Sequence, residues 1–562
     1  MSGDVLRIGN MSGFYGDRFA AMREMLTGGE LDVLTGDYLA ELTMLILGRQ
    51  RMKDPTGGYA RTFLHQLEDC LGLAMERGVR IVTNAGGLNP AGLAEAVESL
   101  ADKLGITVRV AHVTGDDLLP RADELGMSGA LTANAYLGGW GIAECLTAGA
   151  DVVVTGRVTD ASLVAGPAAA HFGWSRTDYD VLAGATAAGH VIECGAHATG
   201  GNYSFFTELP DMGRLGFPIA EIHADGSAVI TKHPDTGGAV TVETVTAQLL
   251  YEIGGPRYLG PDVTSRFDTI TLTQDGEDRV RISGVRGEEP PDTAKVCMNT
   301  LAGFRNSATF VLCGLDIDAK AELARRQLAA EVGDDGVTWT LARTDHTDAD
   351  TEETASALLH AMIMTTDTKR AKGFSRACVE LALASYPGFT LTAPPADGTP
   401  VGVYRPHFVP VTEVPHIAVL PGGERVDIAP HAGDNSPQPL PEPQAPEPLS
   451  AAKTRSVPLG TILGARSGDK GGDANLGVWA RTDDGYRWLA NELTTDRLRE
   501  LLPEAKDLEI ERHPLPNLRA VNFVLHGLLG EGVAASTRFD PQAKALGEWL
   551  RSRVVDVPEV LL

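Results

Sequence analysis

Residues Ala465-Arg466-Ser467-Gly468-Asp469-Lys470-Gly471-Gly472-Asp473-Ala474-Asn475 put Arg, Lys, two Asp, Ser and Asn into a glycine-rich turn between two apolar runs, Val457–Leu463 and Leu476–Ala480. One or two glycines are enough to reverse a chain. Three glycines beside six polar or charged side chains exceed that need, so the segment reads as a loop built to hold a ligand through Asp469, Lys470 and Asn475. An ordinary solvated charged hairpin is the competing reading.

Two further constellations carry chemistry. Arg157 leaves an apolar strand in Val154-Thr155-Gly156-Arg157-Val158-Thr159-Asp160, where its fork geometry suits a carboxylate or phosphate. An ion pair to Asp160 that only fixes the loop is the alternative. His190-Val191-Ile192-Glu193-Cys194-Gly195-Ala196-His197 brings two imidazoles, a carboxylate and a thiol together. On a helix, His190, Glu193, Cys194 and His197 share one face, which suits acid–base work or a metal. No zinc signature matches, and Gly195 with Thr199-Gly200-Gly201-Asn202 argues for a short helix or none. No metal ligand set is assigned.

These residues need a scaffold, and the first 175 or so residues supply one by repeating an apolar strand, a small-residue loop and an amphipathic helix. The strands expected are Val5–Gly9, Leu31–Thr35, Val79–Thr83, Ile106–Val110 and Asp151–Thr155, with helices over Arg18–Leu26, Tyr38–Leu47, Ala91–Leu104 and Asp160–His171. Such alternation predicts an α/β fold with a mostly parallel sheet. Ligands of open parallel sheets bind outside the carboxyl ends of the strands. There the loops carry Asn10, Gly13, Gly16 and Asp17; Gly36 and Asp37; Asn84, Gly86, Gly87 and Asn89; Asp116 and Asp117; Arg157 and Asp160. Capping and turn formation account for any one of these residues. Five such loops on one expected edge raise the edge to a candidate site.

From about Glu208 short β-branched runs read as antiparallel strands: Ile219–His223, Ala228–Lys232, Val240–Val242, Thr269–Thr273 and Val280–Ser283. Helical patches are expected at Ile317–Val332 and Glu352–Met364. Pro437–Pro448 alternates prolines as an extended linker does. The domains expected are a large α/β domain over 1–430 with an antiparallel β-rich part, a proline-rich linker over 431–456, and a small α+β, ferredoxin-like domain over 457–562. In the last, helices are expected at Asp496–Leu502 and Pro541–Val554, and strands at Leu508–Arg512 and Ala520–Leu525.

The 562 residues exceed one core, and 43% hydrophobic with 22% charged residues describe a soluble globular chain. A formal charge of −27 disfavours nucleic acid and anionic membranes as partners. The six cysteines form no C-x-x-C pair, no basic-then-apolar leader opens the sequence, and no apolar run approaches the ~18 residues of a membrane span. A cytoplasmic protein is expected. Gly9-x-x-x-Gly13-x-x-Gly16 is neither the dinucleotide fingerprint nor a Walker loop, and no G-x-S-x-G elbow occurs. No cofactor is firmly implied.

The chain resembles the acyclic terpene utilisation (AtuA-like) family. From Arg7 to about residue 430 the likeness rests on Gly36-Asp37-Tyr38-Leu39-Ala40-Glu41, Asn84-Ala85-Gly86-Gly87-Leu88-Asn89-Pro90, Thr155-Gly156-Arg157-Val158-Thr159-Asp160-Ala161 and Gly195-Ala196-His197-Ala198-Thr199-Gly200-Gly201-Asn202. In the last domain it rests on Arg466–Asn475. The resemblance implies a role in breaking down branched, terpene-derived acids such as citronellate and geranylate, handled as coenzyme A thioesters. It brings no catalytic residue set.

Three readings follow. The first is a hydratase- or lyase-like enzyme acting on a branched acyl-CoA or carboxylic acid without a redox cofactor. Asp37, Asp160 or Glu193 would be its base and His197 its proton donor or acceptor. Arg157 and Asn84 would bind the carboxylate or thioester oxygen, with Asn10, Gly87, Asn202, Asp469, Lys470 and Asn475 as further substrate contacts. The second is a non-catalytic scaffold or assembly partner of a pathway carboxylase. The third is a metal-dependent hydrolase using His190, Glu193 and His197. The partners expected are a small acyl-CoA or carboxylate and a second copy of the chain or a pathway enzyme.

Overall fold

The computed structural model describes residues 5–431, 439–450 and 453–562. Its largest sheet is built around five parallel strands, β1 (Val5–Asn10), β2 (Val33–Gly36), β3 (Arg80–Thr83), β4 (Val110–Thr114) and β5 (Val152–Thr155), in the order β1-β2-β3-β5-β4. Val152, Val153, Val154 and Thr155 are all buried, as strands covered on both faces must be.

The sheet is mixed, not mostly parallel. Antiparallel strands extend both edges: β6 (Pro218–His223) pairs with β1, then β7 (Ala228–Lys232), followed by the hairpin of β8 (Thr271–Gln274) and β9 (Val280–Ser283), β9 lying beside β7. At the other edge β10 (Ile417–Val419) pairs with β4, and β11 (Arg425–Asp427) follows. The expected antiparallel segments therefore continue the parallel sheet. Helices α1 (Ser162–Phe172) and α2 (Tyr179–Ile192) are almost wholly buried, consistent with their Ala- and Gly-rich, all-round apolar sequences.

The chain forms two compact units, one of Met1–Asn299, Tyr404–Val533 and Asp540–Leu562, the other of Thr300–Val403 with Ala534–Phe539. The second is an antiparallel sheet in which Ser356–Thr365 pairs with both Val337–Ala342 and the long strand Thr293–Cys313. Helices Ile317–Val332 and Thr368–Glu380 supply Leu328 and Phe374 to its core beside Phe310 and Leu359.

Within the first unit, the C-terminal sheet runs β12 (Leu463–Lys470), β13 (Asp473–Ala480), β15 (Ala520–Leu525), β14 (Ile510–Leu515), all antiparallel. Helices Asp483–Glu492, Thr495–Leu501 and Leu546–Arg551 close a core of Leu476, Val478, Leu489, Phe523 and Leu550. Residues 439–450 carry no helix or strand, and Asn491 and Arg487 donate to the carbonyls of Pro446, Glu447 and Pro448. Pro437 and Gln438 of the proline-rich stretch lie outside the described residues.

Several local expectations are corrected. The segment Glu352–Met364 is no helix; Ser356–Thr365 alternates buried and part-exposed positions as a strand. Val240–Val242 is no strand, because Thr241 and Thr244 form a reciprocal capping box that starts the helix α3 (Val242–Leu249). The strand expected at Ile106–Val110 begins only at Val110, and Leu546–Arg551 is much shorter than the helix expected over Pro541–Val554. The glycine-rich loop is mainly strand: β12 and β13 pair continuously from Leu463–Ala480 to Lys470–Asp473, leaving only Gly471-Gly472 as the turn. Gly471 has φ +69°, which favours glycine there. Helix α2 ends at Ile192 and a 3-10 turn covers Gly195–Thr199, so His190 and His197 do not share one helix.

Candidate active site

The carboxyl ends of the parallel strands hold the deepest part of the site. Just beyond β2, Asp37 Oδ1 accepts from Leu39 N at 3.1 Å and from Asn84 Nδ2, just past β3, at 2.6 Å. Asn84 Oδ1 in turn accepts from Tyr38 N at 2.8 Å, so one carboxamide ties two strand ends together. Burial, then repulsion from Asp160, hold the Asp37 carboxyl well above the ordinary carboxylate range, with Arg157 and Asn84 pulling the other way. Asp116, after β4, accepts from Arg157 N at 2.9 Å and Asn134 Nδ2 at 2.8 Å, and burial pushes it up to about 7.

Arg157 follows β5 with its side chain only 2% exposed. It is paired with Asp160 and donates to Val158 O at 3.1 Å, so the loop-fixing ion pair is present. The guanidinium also lies 4.3 Å from the Tyr136 ring centroid, and its charge reaches Asp37 and Glu41. Tyr136 donates to Glu41 at 2.7 Å, and Lys295 Nζ stands 4.8 Å from the same ring. Burial alone would raise Glu41, but Lys295 and Arg157 outweigh it and bring the carboxyl down to about 2.

The segment after α2 adds the titratable groups. Glu193 Oε1 lies 3.3 Å from His190 Nδ1, while Glu193 Oε2 is buried without a hydrogen-bond partner. Burial, then the charges of Asp160 and Glu252, hold Glu193 well above its ordinary range. His190, packed against Tyr258 and Phe267, is pushed by burial down to about 4. Burial therefore favours an uncharged imidazole and works against ionisation of the carboxyl beside it. Burial likewise raises the Cys194 thiol, with Glu193 adding to it, which removes it as a thiolate nucleophile.

The C-terminal hairpin completes the cluster. Arg466 Nη2 lies 2.9 Å from His197 Nδ1, and its guanidinium sits 4.1 Å over the Tyr251 ring. Burial, then the charges of Arg466 and Lys544, hold His197 well below its usual range, so the ring is neutral. A guanidinium only donates, so Nδ1 accepts from Arg466, and the Asn202 amide nitrogen lies 2.6 Å from Nε2, the other ring nitrogen. Burial and the charges of Glu252 and Glu41 raise Asp469 to about 8. Lys470, exposed, reaches the Glu252 carbonyl at 3.4 Å. The surplus glycine of the hairpin has a packing reason: a Cβ on Gly468 would lie 2.5 Å from the Tyr251 ring.

Asp37, Arg157, Asp160, Glu193, His197, Asp469 and Lys470 thus fall in one electrostatically connected cluster, and Asn84 anchors it. Glu41, Asp160, Glu193, His197 and Asp469 are half-buried, so solvent reaches one side. Asn10 stands apart in role: both of its amide hydrogens go to the carbonyls of Ile192 and Glu193, at 2.7 and 2.8 Å, bracing the Glu193 backbone. Gly87 is a turn residue with φ +53° packed on Leu47 and Gly58. Asn475 is fully buried and bonds the backbone of Glu252. Asn202 is exposed and reaches the site through His197.

Reading the sequence did not single out Glu41, Tyr136, Tyr251, Glu252, Lys295 and Lys544. Tyr251-Glu252-Ile253-Gly254-Gly255-Pro256 carried a turn signal that marks such a position. Lys295 and Lys544 carried none. Among the described residues, no three of His, Cys, Asp and Glu stand close enough to share a metal ion, and no helix is long and apolar enough to cross a membrane.

None of the curated proteins matches the chain. Two family models do: that of the acyclic terpene utilisation family protein AtuA over residues 6–420, and that of the AtuA ferredoxin-like domain over residues 457–556. The first spans nearly three quarters of the sequence and contains all the strand-end loops, while the second contains the hairpin that packs on Tyr251, Glu252 and His197. The chain belongs to the acyclic terpene utilisation (AtuA) family.

Proposed function

We propose that the protein is a cytoplasmic enzyme of acyclic-terpene and branched-chain acid breakdown. It acts on a branched acyl-CoA, or on the free acid, by acid–base chemistry of the hydratase or lyase type. The observation that carries this reading is Glu193, which offers a buried carboxyl oxygen without a hydrogen-bond partner in surroundings that favour its protonated form. A carboxyl held neutral at pH 7 is a general acid ready to donate.

The neighbours fit the same task. Neutral His197, held between Arg466 and Asn202, serves as proton donor or acceptor. Arg157, with Asn84 beside it, answers a carboxylate or a developing enolate charge. In the dehydrating direction, Glu193 gives its proton to a departing hydroxyl, which leaves as water. Asp160, ion-paired with Arg157, takes the proton from the carbon beside the carbonyl. Hydration is the reverse, with the same atoms and charges balanced.

The test is thermal unfolding with geranoyl-CoA, citronellate, free coenzyme A and divalent metals in turn. Selective binding of geranoyl-CoA is expected, worth about 2.7 kcal/mol at a hundredfold excess over the dissociation constant, and weakened in Arg157→Met. No stabilisation by any acyl thioester or branched acid overturns the reading.

A further inference from the structure

Several groups of the C-terminal domain converge on one dipeptide, Tyr251-Glu252. Asn475 Oδ1 accepts from the Glu252 N–H at 2.7 Å. Asn475 Nδ2 donates to Asn522 Oδ1, and Asn522 Nδ2 donates to the carbonyls of Gly254 and, at 3.4 Å, of Ile253. Both asparagines are completely buried. Arg466 covers the Tyr251 ring, Lys544 Nζ meets its hydroxyl at 2.5 Å, and the absent side chain of Gly468 lets the hairpin close on Tyr251 and Glu252.

Glu252 itself has φ +55°, the left-handed region that a glutamate occupies only when its surroundings hold it there. A glycine would meet the backbone need without strain. What glutamate adds is the carboxyl. That carboxyl lies among the groups of the site: its charge is felt by Glu193, Cys194, His190, Asp469 and Lys470, and it in turn feels Lys544, Glu41 and Asp160. A strained residue pinned from two strands of another domain, with its acid group in the middle of a titratable cluster, is placed for chemistry.

We infer that Glu252 is a second catalytic carboxyl working with Glu193, and that the buried Asn475–Asn522 pair is the device that positions it. The C-terminal domain then completes the reaction centre. This inference rests on the acid–base reading for its chemistry, while the positioning can be tested without turnover.

The experiment uses the full chain as wild type, E252Q, N475A and N475D, the last keeping an acceptor for the Glu252 N–H. Infrared titration of the ligand-free proteins follows protonated carboxyl bands, and calorimetry and turnover use geranoyl-CoA. In E252Q, one carboxyl band that titrates above the ordinary glutamate range should disappear, binding should hold within a few-fold, and kcat should fall by about 10²–10⁴, the usual worth of a general acid or base. In N475A the Glu252 band should shift while the cooperative unfolding transition is kept, with N475D in between. Loss of no band in E252Q, or an N475A titration equal to that of wild type, overturns the placement. Unchanged kcat in E252Q overturns the catalytic role. Wild type that fails to bind geranoyl-CoA sinks the function proposed above, and the infrared result still decides where Glu252 stands.

Discussion

Arg466 of the C-terminal hairpin donates to His197 of the turn after α2 across 2.9 Å, and its charge adds to burial in disfavouring the protonated imidazole. Replacing the guanidinium by an apolar chain of similar size removes a nearby positive charge, the second cause of the low His197 pKa after burial. In Arg466→Met the His197 ring should therefore titrate closer to its ordinary range than in wild type. Imidazole NMR titration of the two proteins checks this, and identical curves would show that burial alone sets the ring.

Arg157 ties three strand-end loops together through its backbone bond to Asp116, its ion pair to Asp160 and its stacking on Tyr136. Breaking a buried pair by removing one partner costs about 3–5 kcal/mol. Asp160 keeps 29% side-chain exposure, so Arg157→Met should fall at or below the bottom of that range. Arg157→Lys keeps the charge but loses the fork, and should unfold in urea near wild type while binding geranoyl-CoA more weakly.

Gly468 and Gly373 separate packing from propensity. A Cβ on Gly468 meets the Tyr251 ring at 2.5 Å, so Gly468→Ala should cost about 1–3 kcal/mol by overpacking. Gly373 lies inside the helix Thr368–Glu380 with nothing within 4 Å of such a Cβ. Gly373→Ala should gain roughly 0.5–1 kcal/mol. Chemical denaturation of the two variants gives opposite signs if the hairpin is seated as described.

Burial raises Asp116 to about 7 and Asp469 to about 8 from a free value of 3.8. Between those limits the native carboxyls hold protons that the unfolded chain has already released, so stability falls as pH rises through the native values. His190 and His416, lowered to about 4 from 6.5, act oppositely, but only between those two values. From pH 6.5 to 8 the carboxyls set the direction, and the melting temperature should decline. Asp469→Asn should flatten that decline; an unaltered slope would remove Asp469 from the account.

The parallel strands and their loops were legible in the sequence because β-branched runs such as Val152–Thr155 and caps such as Asn89-Pro90 act locally. The same local reading brought Asp37, Asn84, Arg157 and Asp160 to one edge, while Glu193 and His197 stood in it as a separate constellation. It misjudged Ser356–Thr365, whose alternating pattern lies in a stretch rich in helix-forming Ala, Leu and Met, and Thr241, whose cap outweighs two valines. Asn475 with Asn522, and Arg466 with His197, are 47 and 269 residues apart, so only tertiary packing brings them together.

The most direct test follows the acyl chain itself. Geranoyl-CoA is incubated with wild type or Glu193→Gln in deuterated water and analysed by mass spectrometry. The account predicts that wild type adds the elements of water, or exchanges deuterium beside the carbonyl. It predicts that Glu193→Gln still binds the thioester but reacts about 10²–10⁴ times more slowly. An acyl chain left unchanged by wild type, or a Glu193→Gln variant as fast as wild type, would contradict it.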